Sequence, residues 1–155
     1  MRVIRITPQM FFDRPRVKRA VDRARRSVLS KAGAFVRQRA RSLIRPRRRS
    51  ARPGEPPSSH TGLLRRFIFF GYPRNSDRDT VVIGPAPLNQ RSEYGNTTVP
   101  EVLEFGGRVT TRDYRTGKRV TRRYRGHPYM GPALEKEADK FPALWRDSVK
   151  GNLHR

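Results

Sequence analysis

Residues 13–45 read DRPRVKRAVDRARRSVLSKAGAFVRQRARSLIR, and the rest of the chain is organised around them. The stretch predicts one long helix. Asp13 can serve as N-cap, Pro15 sits where a missing N–H costs little, and Pro46 forces an end at or before Arg45. At about 100° per residue, Val17, Val21, Ala24, Val28, Ala32 and Phe35 fall in an arc of about 80°. Arg16, Arg19, Arg23, Arg26, Arg37 and Arg41 gather on the opposite side. One face suits a core and the other suits anions or water. Lys18, Arg25 and Arg39 intrude on the apolar half. Gly33 weakens the helix by up to about 1 kcal/mol relative to Ala and leaves room for another backbone to approach.

The whole chain shares the cationic bias of that helix. Its 155 residues hold 36 Lys plus Arg against 13 acids, a net of +23, and 30 of the 36 are Arg. Residues 13–49 contribute 15 bases and 2 acids, about half of the excess. Such a charge opposes compaction and favours a polyanion, an acidic protein or an acidic membrane surface as neighbour. There is no Cys, which excludes disulfides and thiolate metal sites. No run of about 18 apolar residues is present, and the first dozen residues lack a signal-peptide core. The expectation is one soluble domain over 1–155, made in a cytoplasm, with no membrane contact.

Along the chain, residues 2–7 alternate weakly, as a short strand would. Residues 46–61 form a Pro/Arg-rich surface linker that carries Arg47, Arg48 and Arg49. Strands, a short helix and a basic hairpin are expected over 62–125. Leu63–Tyr72 predicts a strand buried on both faces at Phe67–Phe70, and Thr80–Gly84 predicts its antiparallel return across a turn at 73–78. Residues 89–98 read as a polar loop. Val99–Phe105 predicts a helix capped by Thr98, with Val99, Val102, Leu103 and Phe105 toward the core. Residues 108–114 and 118–124 predict a second hairpin, too polar to gain much from a core: either an ordinary solvated hairpin, or an arm that pairs with a neighbour or lines a charged channel. Residues 132–150 predict a second helical region, interrupted at Pro142, with Trp145 as a core anchor. The fold class is therefore α+β: a long N-terminal and a C-terminal helix packed on a small antiparallel sheet of hairpins.

A search for chemistry finds little. His60, His127 and His154 have no ligand spacing, Ser58-Ser59-His60 is adjacency without a triad, and no Gly-rich phosphate loop is present. Glu101 and Glu104, one helical turn apart, read as ordinary ion-pairing residues. No cofactor and no enzymatic activity are expected. A helix lined by arginines could track phosphates, but no base-reading or stacking platform accompanies it.

Three segments carry a resemblance: Pro53-Gly-Glu-Pro-Pro57 followed by Thr61-Gly-Leu-Leu64, Val99-Pro-Glu-Val-Leu-Glu-Phe-Gly-Gly107, and His127-Pro-Tyr-Met-Gly-Pro-Ala-Leu134. In that order, behind a basic N-terminal helix, they resemble the small head–tail joining, or tail-completion, proteins of long-tailed double-stranded DNA bacteriophages. His127 and Tyr129 stand where that family often has Arg and Phe. The resemblance implies an α+β subunit of a virion neck, a ring of six or twelve identical copies around the DNA channel. Its neighbours would be a stopper, a tail terminator and a tail tube, with DNA backbone inside the ring. It brings no catalytic residues. On this reading Arg16, Arg19, Arg23, Arg26, Arg37, Arg41, Arg47, Arg48 and Arg49 are candidates to face DNA or acidic partners. Arg112, Tyr114, Arg115, Lys118, Arg119 and Arg122 are candidates for a subunit interface. The alternative is a sequence-independent nucleic-acid-binding protein.

Overall fold

A computed structural model describes residues 13–73, 80–87 and 98–153. The expected strand over 2–7, the turn after Pro73 and most of the polar loop 89–98 lie outside them. Helix α1 runs unbroken over Arg14–Leu43. Its start is set by Asp13, whose carboxylate accepts the Arg16 N–H at 3.0 Å, and Pro15 occupies the first turn. It ends where Ile44 turns extended, two residues before Pro46.

The buried seam of α1 is Ala24, Val28, Ala32, Gly33, Val36 and Ala40. This corrects the expected arc at both ends. Val17 and Val21 are exposed, because the first turns extend beyond the packed body, and Val36 rather than Phe35 enters the core. The buried positions Ala24, Val28, Ala32, Val36 and Ala40 advance in steps of four, about 40° round the helix per step, so by Val36 the seam has left the line that joins Val17 to Phe35. Of the intruding bases, Arg39 meets an acid of the C-terminal half and Arg25 meets Asp22 one turn away.

Past α1 the chain forms a short parallel pairing of β1 (Arg45–Pro46) with β2 (Ser58–Ser59). The linker between them is tied down by Gly54 N–H to Gly126 carbonyl, 3.1 Å, and by an Arg47–Glu55 ion pair at 3.3 Å. Leu63–Arg66, expected as strand, is instead a helical turn, α2. Gly62 enters it with φ +76, a left-handed conformation that suits glycine. Strand β3 (Ile68–Gly71) then pairs antiparallel with β4 (Val82–Pro85), Phe69 opposite Gly84. Ile68 is fully buried while Phe67 and Phe69 are exposed. The two-stranded sheet covers only one face with α1, so alternation replaces the double burial that four consecutive apolar residues predicted.

Helix α3 (Val99–Phe105) starts with a capping box between Thr98 and Glu101. It leads through Gly106 into β5 (Gly107–Arg112), which pairs antiparallel with β6 (Arg119–Tyr124). Helices α4 (Met130–Ala138) and α5 (Phe141–Leu153) close the chain, with the restart at Pro142. Both pack on α1, as β3 and β4 do from another side. The core is Val36, Ala40, Ile44, Leu64, Ile68, Tyr129 and Ala133. The architecture is α+β, with long N-terminal and C-terminal helices and separate two-stranded antiparallel hairpins.

Candidate functional site

The two glycine-containing motifs of the C-terminal half form one structural knot. The Glu104 carboxylate on α3 accepts the backbone N–H groups of Tyr129 and Met130 through one oxygen, at 2.9 and 3.0 Å, and of Gly131 through the other, at 2.9 Å. These are the free donors at the start of α4, so Glu104 caps a helix 25 residues further on. His127 N–H donates to the Leu103 carbonyl at 2.6 Å, and a ring nitrogen of His127 lies 3.0 Å from the Glu55 carbonyl. Gly106 has φ +73, and a Cβ there would sit 2.8 Å from the Gly126 nitrogen and 2.9 Å from the Tyr124 carbonyl oxygen. The backbones entering and leaving the β5–β6 hairpin therefore touch. Glu104, expected as an exposed ion-pairing residue, is the hub of this crossing.

Beside the knot lies an open cleft of about 660 Å³ between α1, β4, α3 and the start of α4 and α5. Its walls are mostly apolar and include Val28, Ala32, Ile83, Leu134, Phe141 and Trp145, with Glu101 and Glu104 also in the lining. Phe105 and Trp145, both expected in the core, are exposed along it at 80 % and 39 %, and Leu134 beside them is 48 % exposed. Trp145 thus marks the wall of a cleft and does not anchor a core. In a chain with 36 bases, no Lys or Arg lines the cleft among the described residues. The Tyr129 side chain sits wholly in the core, its hydroxyl without a hydrogen-bond partner among the described residues. Burial, and then the nearby Glu104 charge, push that hydroxyl far above the usual tyrosine range.

The arginine candidates divide into two groups. Arg37 and Arg47 are engaged within the chain. Arg37 Nε donates to the Ile68 carbonyl at 2.7 Å with its guanidinium 5.9 Å from the Phe69 ring centre, and Arg47 pairs with Glu55. Arg16, Arg19, Arg23, Arg26, Arg48 and Arg49 are exposed, and none makes an ion pair with a described acid. Half-buried Arg41 lines a shallow polar pocket with Arg37, Gln38, Ser42 and Arg65, which brings a second element's base to the α1 row.

Arg39 Nε meets Glu137 Oε1 at 2.7 Å, and Lys140 Nζ meets the other oxygen at 2.6 Å. Glu137 is 3 % exposed. The hydrogen bonds from Lys140 and then Arg39 hold its carboxyl below the usual range against the opposing effect of burial.

The β5–β6 hairpin is an arm. The two strands pack chiefly on each other. At its turn the Asp113 carboxylate accepts the Arg115 and Thr116 N–H groups at 2.8 and 3.0 Å, which lowers its pKa, and Gly117 takes φ +65. Tyr114 is 100 % exposed, and Arg112, Arg115, Lys118, Arg119 and Arg122 are exposed around it. The arm also carries Arg108 and Arg123, which the sequence reading left out although strand alternation alone puts them on one face with Arg112 and Arg119.

Comparison with known proteins finds no matching family model, no similar curated protein and no similar solved structure. No helix among the described residues is long and apolar enough to cross a membrane.

Proposed function

We propose that this chain is a structural subunit of a bacteriophage neck, a ring-forming protein that joins tail to head around the DNA channel. The order of motifs in the sequence motivates the reading. The observation that supports it most is the outward charge of α1: Arg16, Arg19, Arg23 and Arg26 project from an unbroken helix with no described acid of the same chain set against them. A protein that invests so much charge in one exposed rod needs an anionic neighbour to offset it. The cleft adds a second support. Phe105, Leu134 and Trp145 leave more apolar surface open than a lone subunit favours. A head-to-tail ring would set that face against a different face of the next copy. The expected site of action is the head–tail junction of the virion, after synthesis in the bacterial cytoplasm, next to a stopper, a tail terminator or a tail tube. The alternative, a sequence-independent nucleic-acid-binding protein, draws its support from the same surplus of arginine.

Deletion of the gene from the genome that carries it tests the proposal. Electron microscopy of lysates should show DNA-filled heads and finished tails that fail to join, rescued by the wild-type chain and not by an Arg19→Gln/Arg23→Gln/Arg26→Gln variant. Normal joined particles from the deletion would overturn the reading.

A further inference from the structure

The first turns of α1 and the cleft are two apolar surfaces that the folded chain leaves open. Val17 and Val21, 44 % and 56 % exposed, stand about 40° apart on the helix, beyond the packed body. Arg14 and Lys18 border them at about 60° and 100° from Val17, and no acid falls between residues 14 and 21. The tip is an apolar ridge with a cationic margin. The cleft has the complementary character. Phe105, Leu134 and Trp145 are open along it, and its lining holds Glu101 and Glu104 but no Lys or Arg among the described residues. Glu101 is itself exposed. One chain cannot bring its own tip and cleft together. Val28 already belongs to the cleft wall, and eleven residues of unbroken helix hold Val17 about 17 Å from it.

We propose that the cleft of one copy receives the α1 tip of a second copy, with Val17 and Val21 seated against Leu134 and Trp145 and with Arg14 and Lys18 turned to Glu101. The pairing takes two valines, one turn apart, and the open cleft residues out of water together. In a chain of net charge +23, the base-free cleft is where a second copy's cationic helix meets least repulsion. The contact joins different faces of the two copies, so it is heterologous. Every dimer keeps one free tip and one free cleft, and further copies add in one direction until the chain closes or continues as a filament. The inference deepens the ring reading and rests on it for closure into a ring, while the contact itself is a property of the purified chain.

The chain has no cysteine and a single tryptophan, Trp145 in the cleft wall, so both sides of the contact can be followed in the full-length protein. Purified Val17→Cys and Leu134→Cys variants, mixed and treated with a short bismaleimide, should give a cross-linked dimer, and the double variant a ladder of higher multimers. Val17→Cys alone and Leu134→Cys alone should cross-link no faster than Val17→Cys mixed with Tyr114→Cys, a fully exposed arm position that reports chance collision. Trp145 emission should shift to the blue as the wild-type concentration rises. Val17→Asp/Val21→Asp, which places charge in the apolar seat, should weaken the association by about tenfold or more, and Arg14→Gln/Lys18→Gln should make it less sensitive to salt. All four side chains are exposed, so these variants should melt with wild type. A mixed pair that cross-links no faster than chance, or Val17→Cys alone dimerising as fast as the mixed pair, overturns the proposal. So does a blue shift that survives Val17→Asp/Val21→Asp, which would give the cleft to another segment of the chain. Loss of the cross-link leaves the phenotype of the gene deletion standing, and normal particles from the deletion leave the cross-link standing, so the two readings fail separately.

Discussion

Glu104 shows how much one carboxylate can organise. Its two oxygens hold three N–H groups at the start of α4 and so fasten α3 to the C-terminal helices. Replacement by Ala should cost about 2 kcal/mol, the range of a lost N-cap with charge-assisted bonds, read as a lower urea midpoint. Glu101→Ala, which loses only a local capping box, should cost about half as much. The sequence makes the second role visible, because Thr98 and Glu101 are three residues apart, and hides the first, because the donors lie 25 residues away. Glu137 behaves in the same manner. The intrusion of Arg39 on the apolar face is readable, but the acid that answers it is 98 residues distant. The folded Glu137 carboxyl has a lowered pKa, so its contribution is present above the ordinary glutamate value and is lost as pH falls through the lower folded value. Denaturation followed against pH should show this acid-side loss, and Glu137→Gln should flatten it. At neutral pH that variant should be less stable by about 1–3 kcal/mol, a range below that of a fully buried pair because Arg39 is partly solvated.

Helix α1 was legible in its limits and less so in its facing. Asp13, Pro15 and Pro46 fix both ends through local rules that need no tertiary partner. The buried stripe depends on where the body stops, and the body leaves the first turns of the helix uncovered, so Val17 and Val21 stay in water. Leu63–Arg66 was misread for a related reason. Apolar content favours a strand there, but the left-handed Gly62 redirects the chain into a helical turn first. Gly33 gives the clearest prediction at this level. A Cβ there would lie 2.8 Å from the Phe70 ring and 3.3 Å from a Val81 methyl, so the glycine admits the β3–β4 hairpin onto the helix. Gly33→Val should force the hairpin outward and cost about 1–3 kcal/mol despite better helix propensity, measured by chemical denaturation with exchange at Ile68–Gly71.

Taken whole, the molecule separates its apolar and cationic surfaces. The open cleft has no base among its described lining residues, and the charge goes to α1 and the arm. The sequence announced the charge and the α+β class, since both follow from composition and period. It could not announce the cleft, because Phe105, Leu134 and Trp145 look like core residues until the elements around them are placed. The arm has one more consequence. Its two roots, Gly106 and Gly126, are in contact, and the body is fastened on either side of them by Glu104 and by the His127–Leu103 bond. The arm is thus topologically a cassette inserted at a single point. Excising residues 107–125 and joining the roots directly should leave a body that melts within about 5 °C of the parent, whereas a foreign ribbon grafted there should fold without disturbing its host.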